Sequence, residues 1–300
     1  MSDENKPSEN AAKTENDQPE STIKAENDQP ESAVKTENKP PENTVKAENI
    51  PTDIVGKKVF FLFPTAYVQN QVIAELVQHE YEIYISKNSK RLTHALKKYT
   101  DSIVFVNIDE GMRESEWEKW IHTLMSTLPD IRVGVFSSNS DDKIREKYLD
   151  ILHVKCGYYN SKVDMSKITT QILGVLEEMN VKGRRKYLRA NTQSENVATI
   201  NMPTGTGFLK GAIRDVSVVG ISCTFEGNID LHKNELVKDL QIRLQSMLLK
   251  VEAVVFGSRL DGNEKVFVMI FTQRVDSEVK VKIRKYIQQN LQHKIEHEIN

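Results

Sequence analysis

From residue 55 to about residue 180, short unbroken apolar runs alternate with longer stretches in which apolar residues recur every three or four positions. Val59-Phe60-Phe61-Leu62-Phe63 has the character of a strand buried on both faces, and a helical pattern follows over 68–79. A second strand is predicted at 81–85, a helix at 89–99 and a strongly apolar strand at Ile103-Val104-Phe105-Val106. An amphipathic helix over 114–127 precedes a strand at 131–136, then come a helix at 140–150, a weaker strand near 154–159 and a last helix at 165–179. Strands that alternate with helices specify a parallel sheet with right-handed crossovers.

After the helix the period of the pattern drops to two. Strand-like segments fall at 196–202, 208–216, 219–225, 238–250 (with a break), 251–259 and 264–272. Turn residues fill the gaps: Pro203-Thr204-Gly205-Thr206-Gly207, Gly227-Asn228 and Asp261-Gly262-Asn263. Consecutive hairpin-linked strands predict a small antiparallel barrel, which closes its own edges. A helix is expected from Ser277 to about His297, with Val279, Ile283, Ile287, Leu291 and Ile295 spaced by four. That stripe must bury itself, either by capping the barrel or in a dimer contact through the helix.

The first fifty residues obey neither pattern. They carry no aromatic residue and repeat every eleven positions from Lys13, Lys24, Lys35 and Lys46. An eleven-residue period can mark a right-handed supercoil, but these units contain proline and lack an apolar stripe. With 12 acidic residues against 6 lysines, the segment 1–50 reads as a disordered acidic tail. The whole-chain charge of -2 therefore hides an asymmetry, because residues 184–300 hold 18 basic and 13 acidic side chains, a balance of +5. A mildly basic C-terminal domain suits an anionic ligand without choosing one. Two cysteines, Cys156 and Cys223, make no disulfide framework. With no signal-like or membrane-length apolar run, a soluble, cytoplasmic protein is expected.

Five strand–helix units over residues 55–180 match a flavodoxin-like α/β fold and resemble the receiver domain of response regulators. A receiver holds a magnesium ion with carboxylates after its first strand. Here Phe63-Pro64-Thr65-Ala66-Tyr67 stands in that place, Asn107 replaces the phosphoacceptor aspartate, and Asp109 lies two residues beyond. Ser137 or Ser138 and Lys162 match the remaining receiver positions. The expectation is a degenerate receiver used for contacts with a protein partner, with Asp109 as a minor, displaced phosphoacceptor.

Two short motifs lie in the basic C-terminal part. Arg184-Arg185-Lys186-Tyr187-Leu188-Arg189 contains R-x-x-x-R, and Asp215-Val216-Ser217-Val218-Val219-Gly220 is D-x-S-x-x-G. In that order, ahead of the alternating strands, the pair resembles the PilZ domain over about residues 184–290. That family is a receptor for the bacterial second messenger cyclic di-GMP. The chemistry fits: an arginine fork matches O6 and N7 of guanine, stacks on a base or clamps a phosphate. A carboxylate at Asp215 accepts from guanine N–H groups, Ser217 offers a small hydroxyl, and Gly220 permits a close approach. The expected ligand site is therefore Arg184, Arg185, Arg189, Asp215, Ser217 and Gly220.

Taken together, the expected fold is multidomain: the tail at 1–50, a receiver-like α/β domain at 55–180, and a PilZ-like β-barrel plus C-terminal helix at 184–300. The expected mechanism is a clamp. Residues 184–189 form a joint that cyclic di-GMP, alone or as a stacked dimer favoured by Arg184, pulls against Asp215 and Ser217, reorienting the receiver-like domain. The resemblance implies control of motility, surface attachment or virulence. No nucleophile–base pair or phosphate-binding glycine loop marks an enzyme, and His293 and His297 lack a third zinc ligand. No cofactor, nucleic acid or membrane insertion is expected, the basic barrel having only Tyr187 beside the arginines for base stacking. A ligand-independent adaptor and a phosphorylation-dependent regulator are the rival readings.

Overall fold

The computed structural model describes residues 56–192, 198–227 and 229–299. The acidic repeats expected at 1–50 lie outside the described residues, as do the start of the strand expected at 196 and Asn228 of the expected turn.

The first sheet is parallel throughout. Its strands are β1 (Val59–Leu62), β2 (Ile83–Ser86), β3 (Ile103–Asn107), β4 (Arg132–Ser137) and β5 (Tyr158–Asn160), in the order β2-β1-β3-β4-β5. The helix expected at 68–79 is α1 (Ala66–Val68) continued through a π-helical turn (Gln69–Ile73) into α2 (Ala74–Gln78). Further along lie α3 (Ser89–Lys98), α4 (Glu114–Thr127), α5 (Asp142–Glu146), which runs into a second π-helical turn (Lys147–Ile151), and α6 (Met165–Glu178). β1 and β3 are buried along their whole length because each side of the sheet has its own apolar layer. Phe60, Val104 and Val133 pack with Trp117 and Ile121 of α4, while Phe61, Phe105 and Phe136 pack with Val72, Ile168 and Ile172. This is the flavodoxin-like arrangement that the alternation of runs implies.

The second sheet is antiparallel and closes on itself. Its strands are β6 (Ala190–Asn191), β7 (Ala198–Thr204), β8 (Gly207–Ser217), β9 (Gly220–Phe225), β10 (Leu236–Leu244), β11 (Met247–Asp261) and β12 (Glu264–Phe271). The order is β6-β8-β7-β10-β11-β12-β9, and pairing of β8 with β9 completes a barrel. The strand expected at 238–250 divides at Gln245, whose φ of 53° turns the chain, so that Met247 opens β11. β6 was not expected. Two residues carry no period, and β6 exists only because Ala190 and Asn191 find Val216 and Asp215 across from them.

Helix α7 (Ser277–Ile299) has 23 residues and is about 34 Å long at 1.5 Å per residue, longer than a barrel mouth needs. Ile283, Tyr286 and Ile287 enter the barrel core, whereas Ile295 enters the core of the α/β sheet, with Leu291 touching both. The apolar stripe is therefore spent within the chain, which corrects the expected dimer contact: that stripe is not available for it. Polar contacts extend the join. The Gln292 side chain accepts from Ile85 N–H at 2.9 Å and donates to Ile85 O at 2.9 Å, acting as a missing strand on the edge of β2. Lys98 of α3 pairs with Glu298 at 2.6 Å. Residues 51–300 thus form one compact unit.

Candidate functional site

A receiver's metal pocket would lie at the carboxyl ends of β1 and β3. In this chain the space is filled. Phe63, with φ of 53°, sets its ring edge-on to Trp117 at 6.0 Å. Gly111 (φ 82°) lies so close beneath that a Cβ would stand 2.7 Å from the Phe63 ring. Asn107 is buried and donates to Phe63 O at 2.9 Å while accepting from Asp109 N–H at 3.2 Å. Asp109 accepts from the Ser137 hydroxyl at 2.7 Å and from Ser138 N–H at 2.5 Å. Its carboxylate thus ties the ends of β3 and β4 together, and Lys162 is exposed beyond them. Among the described residues no cluster of three His, Cys, Asp or Glu could hold a metal ion. His293 and His297 bring their Nε2 atoms to 3.0 Å but supply only two ligands.

The arginine motif occupies the connection between the sheets. Lys57 N–H donates to Val181 O at 2.8 Å, which anchors the start of the connection against the entry to β1. Arg184, Arg185 and Arg189 are exposed, with Leu188 half-buried between them. The three arginines line a cleft of about 450 Å³ whose opposite wall holds Glu80, Tyr81 and Glu82. Burial, assisted by the charge of Glu177, pushes the Tyr81 phenol up to about 12, so it stays neutral at physiological pH. Glu82 is engaged by Lys58 and the Tyr84 hydroxyl. Glu80 is shared: it accepts from Leu188 N–H at 3.1 Å and from Arg284 Nε of α7 at 2.8 Å.

On the barrel, β6 carries the chain past Asp215, and Arg189 Nη1 comes to 3.7 Å from Asp215 Oδ1. The Ser222 hydroxyl donates to the other oxygen, Asp215 Oδ2, which fixes the carboxylate. Ser217 and Gly220 face each other across the two-residue turn that joins β8 to β9. The Ser217 hydroxyl is buried and donates to Gly220 O at 3.1 Å. A Cβ on Gly220 would lie 2.3 Å from Met269 O, so glycine is required by the approach of β9 to β12. Of the six residues expected at the site, the fold joins Arg189 to Asp215. It puts Arg184 and Arg185 on the neighbouring cleft and commits Ser217 and Gly220 to the hairpin. Sequence reasoning missed Ser222 and Glu80. Ser222 lies two residues beyond the motif on the facing strand, and Glu80 is 108 positions from the amide it binds, so the spacing within the motif reveals neither.

No family model matches the chain, and no curated protein matches it. Similar solved structures fall into two groups. The c-di-GMP complex of YcgR from Escherichia coli is 14% identical, with 39% of this chain and 50% of that chain covered and a TM-score of 0.33. The MrkH–c-di-GMP complex of K. pneumonia is 17% identical, covering 39% of this chain and 57% of that one, with a TM-score of 0.34. A response regulator from Thermotoga maritima is 20% identical over 41% of this chain and 99% of its own length, with a TM-score of 0.33. The chain is similar to PilZ proteins and to receivers. The match spans about half the length of YcgR. Among the described residues no helix is long and apolar enough to cross a membrane.

Proposed function

We propose that this protein is a cyclic di-GMP receptor whose ligand is gathered between the arginine segment and the Asp215 face of the barrel. The observation that carries the reading is the approach of Arg189 to Asp215 at 3.7 Å, beside two more exposed arginines. Among the described residues neither Arg184 nor Arg185 forms an ion pair. Three forked cations and one oriented carboxylate are complementary to a ligand with two phosphodiesters and two guanines. Arg189 and Asp215 sit farther apart than a tight charge-assisted pair, and the Arg189 side chain is half-exposed, so this ion pair gives up little when a ligand replaces it. Asp215, held by Ser222, accepts from guanine N–H groups, and the arginines take O6, N7 and phosphate oxygens. Ser217 and Gly220 shape the turn that aims this face. The role is that of a regulator in the cytoplasm rather than of an enzyme, with the degenerate receiver presenting surface to a protein partner.

Calorimetric titration of the full chain with cyclic di-GMP, with GTP and cyclic di-AMP as controls, tests the reading. Saturable binding selective for cyclic di-GMP and weakened in Arg185→Ala and Arg189→Ala is the expected result. Absence of binding by folded protein would leave a PilZ-shaped adaptor.

A further inference from the structure

Glu80 is the group through which three parts of the molecule meet. It follows α2, and its backbone takes a left-handed conformation (φ 63°) that a non-glycine residue adopts at a cost. Its side chain is only 9% exposed. One carboxylate oxygen accepts from Leu188 N–H, inside the R-x-x-x-R segment, and the other from Arg284 of α7. Neighbouring Glu82 is occupied by Lys58 and Tyr84, which leaves Glu80 as the carboxylate that reaches the connection. A buried carboxylate with two donors resists losing either one, because the remaining charge would be left under-satisfied.

The direction of the effect follows from where the arginines stand. Arg184, Arg185 and Arg189 line the cleft together with Glu80 and Glu82, and Asp215 is not among its lining residues. Arg189 already reaches Asp215 at 3.7 Å, so a ligand held by Arg185 and Asp215 at once would draw the Arg185 end of the segment toward the barrel. Leu188 lies between Arg185 and Arg189, so that movement would pull its N–H away from Glu80. We propose that Glu80 is a positioning residue that latches the arginine segment through Leu188 and opposes ligand capture, so that binding at the barrel releases a contact shared with α7. This rests on the cyclic di-GMP reading for its ligand but not for its geometry. A two-state element of this kind responds only by the ligand's preference for the released form.

The test uses the full chain with Glu80→Ala and Glu80→Gln. The first removes both contacts; the second keeps an acceptor for Leu188 but weakens the hold on Arg284. In the absence of ligand, tryptic cleavage after Arg184, Arg185, Lys186 and Arg189 is expected to speed up several-fold in Glu80→Ala and less in Glu80→Gln. Cyclic di-GMP binding is expected to tighten about five-fold in Glu80→Ala, the low end of ordinary coupling. A fold merely loosened by the substitution would bind more weakly, so tighter binding separates the latch from general destabilisation. Unchanged cleavage overturns the proposal, as does faster cleavage with unchanged or weaker binding. Wild-type protein that binds no cyclic di-GMP would remove the proposed function, and the cleavage rates would still decide whether Glu80 holds the segment.

Discussion

Two polar clusters in this molecule make a useful pair: the carboxyl ends of β1, β3 and β4, and the arginine connection with the Asp215 face of the barrel. In the first, every polar group is satisfied at close range and an aromatic ring fills the space. Asn107, Asp109, Ser137 and Ser138 bond one another, and the Phe63 ring packs edge-on against Trp117. In the second, three arginines are exposed and the one ion pair with Asp215 is long. The first cluster spends its charge on holding loops together; the second leaves its arginines exposed to solvent.

The largest effect that sharpens this contrast is expected from Trp117→Ala. Trp117 is fully buried and packs on Phe63 and Trp120, so its loss should cost about 3–5 kcal/mol of stability. Denaturant unfolding measures it; a loss below about 1 kcal/mol would mean that the filled pocket is not structural. Next comes Arg189→Ala, expected to cost about 1–3 kcal/mol in cyclic di-GMP binding. Since Arg189 is half-exposed, its loss should leave the unfolding midpoint in place. Equal losses in both quantities would erase the distinction drawn between the clusters.

Gln292→Ala removes two hydrogen bonds to Ile85 and is expected to cost about 1–2 kcal/mol. Hydrogen exchange at Ile85 N–H reads it directly, and unchanged protection there would show that α7 does not cover the β2 edge in solution. The smallest effect concerns acid. Hydrogen bonds from Lys98 and from the Tyr99 hydroxyl hold the Glu298 carboxyl below the usual carboxylate range. A depressed carboxylate stabilises the fold above its unfolded pKa and loses that contribution as pH falls through its folded pKa. The end of α7 should therefore lose its hold on α3 below the usual carboxylate range, while the Gln292 contact, which does not titrate, persists. Chemical shifts of residues 294–298 between neutral and acidic pH would show it, and a transition at neutral pH would contradict it.

Much of the fold was legible because apolar period is a local property. The buried runs at β1 and β3 and the alternation along β7 and β9 announced their elements, and the Asp261-Gly262-Asn263 turn announced its hairpin. The π-helical turns and the division of β10 from β11 were not legible, since both depend on which residues the neighbouring layers accept. Type and spacing picked out Arg189 and Asp215, but the same motif contains Ser217 and Gly220, whose chemistry is absorbed by a tight turn and by Met269 O.

The sequence by itself determined the two kinds of sheet, the absence of carboxylates after β1 and the residue types of the R-x-x-x-R and D-x-S-x-x-G motifs, because each rests on identities read within one run of chain. Only the tertiary structure decided how α7 is used, which motif residues meet, and that Glu80 stands between them. Those outcomes depend on contacts across 26 to 207 positions, where burial on one element is settled by another that no local pattern names.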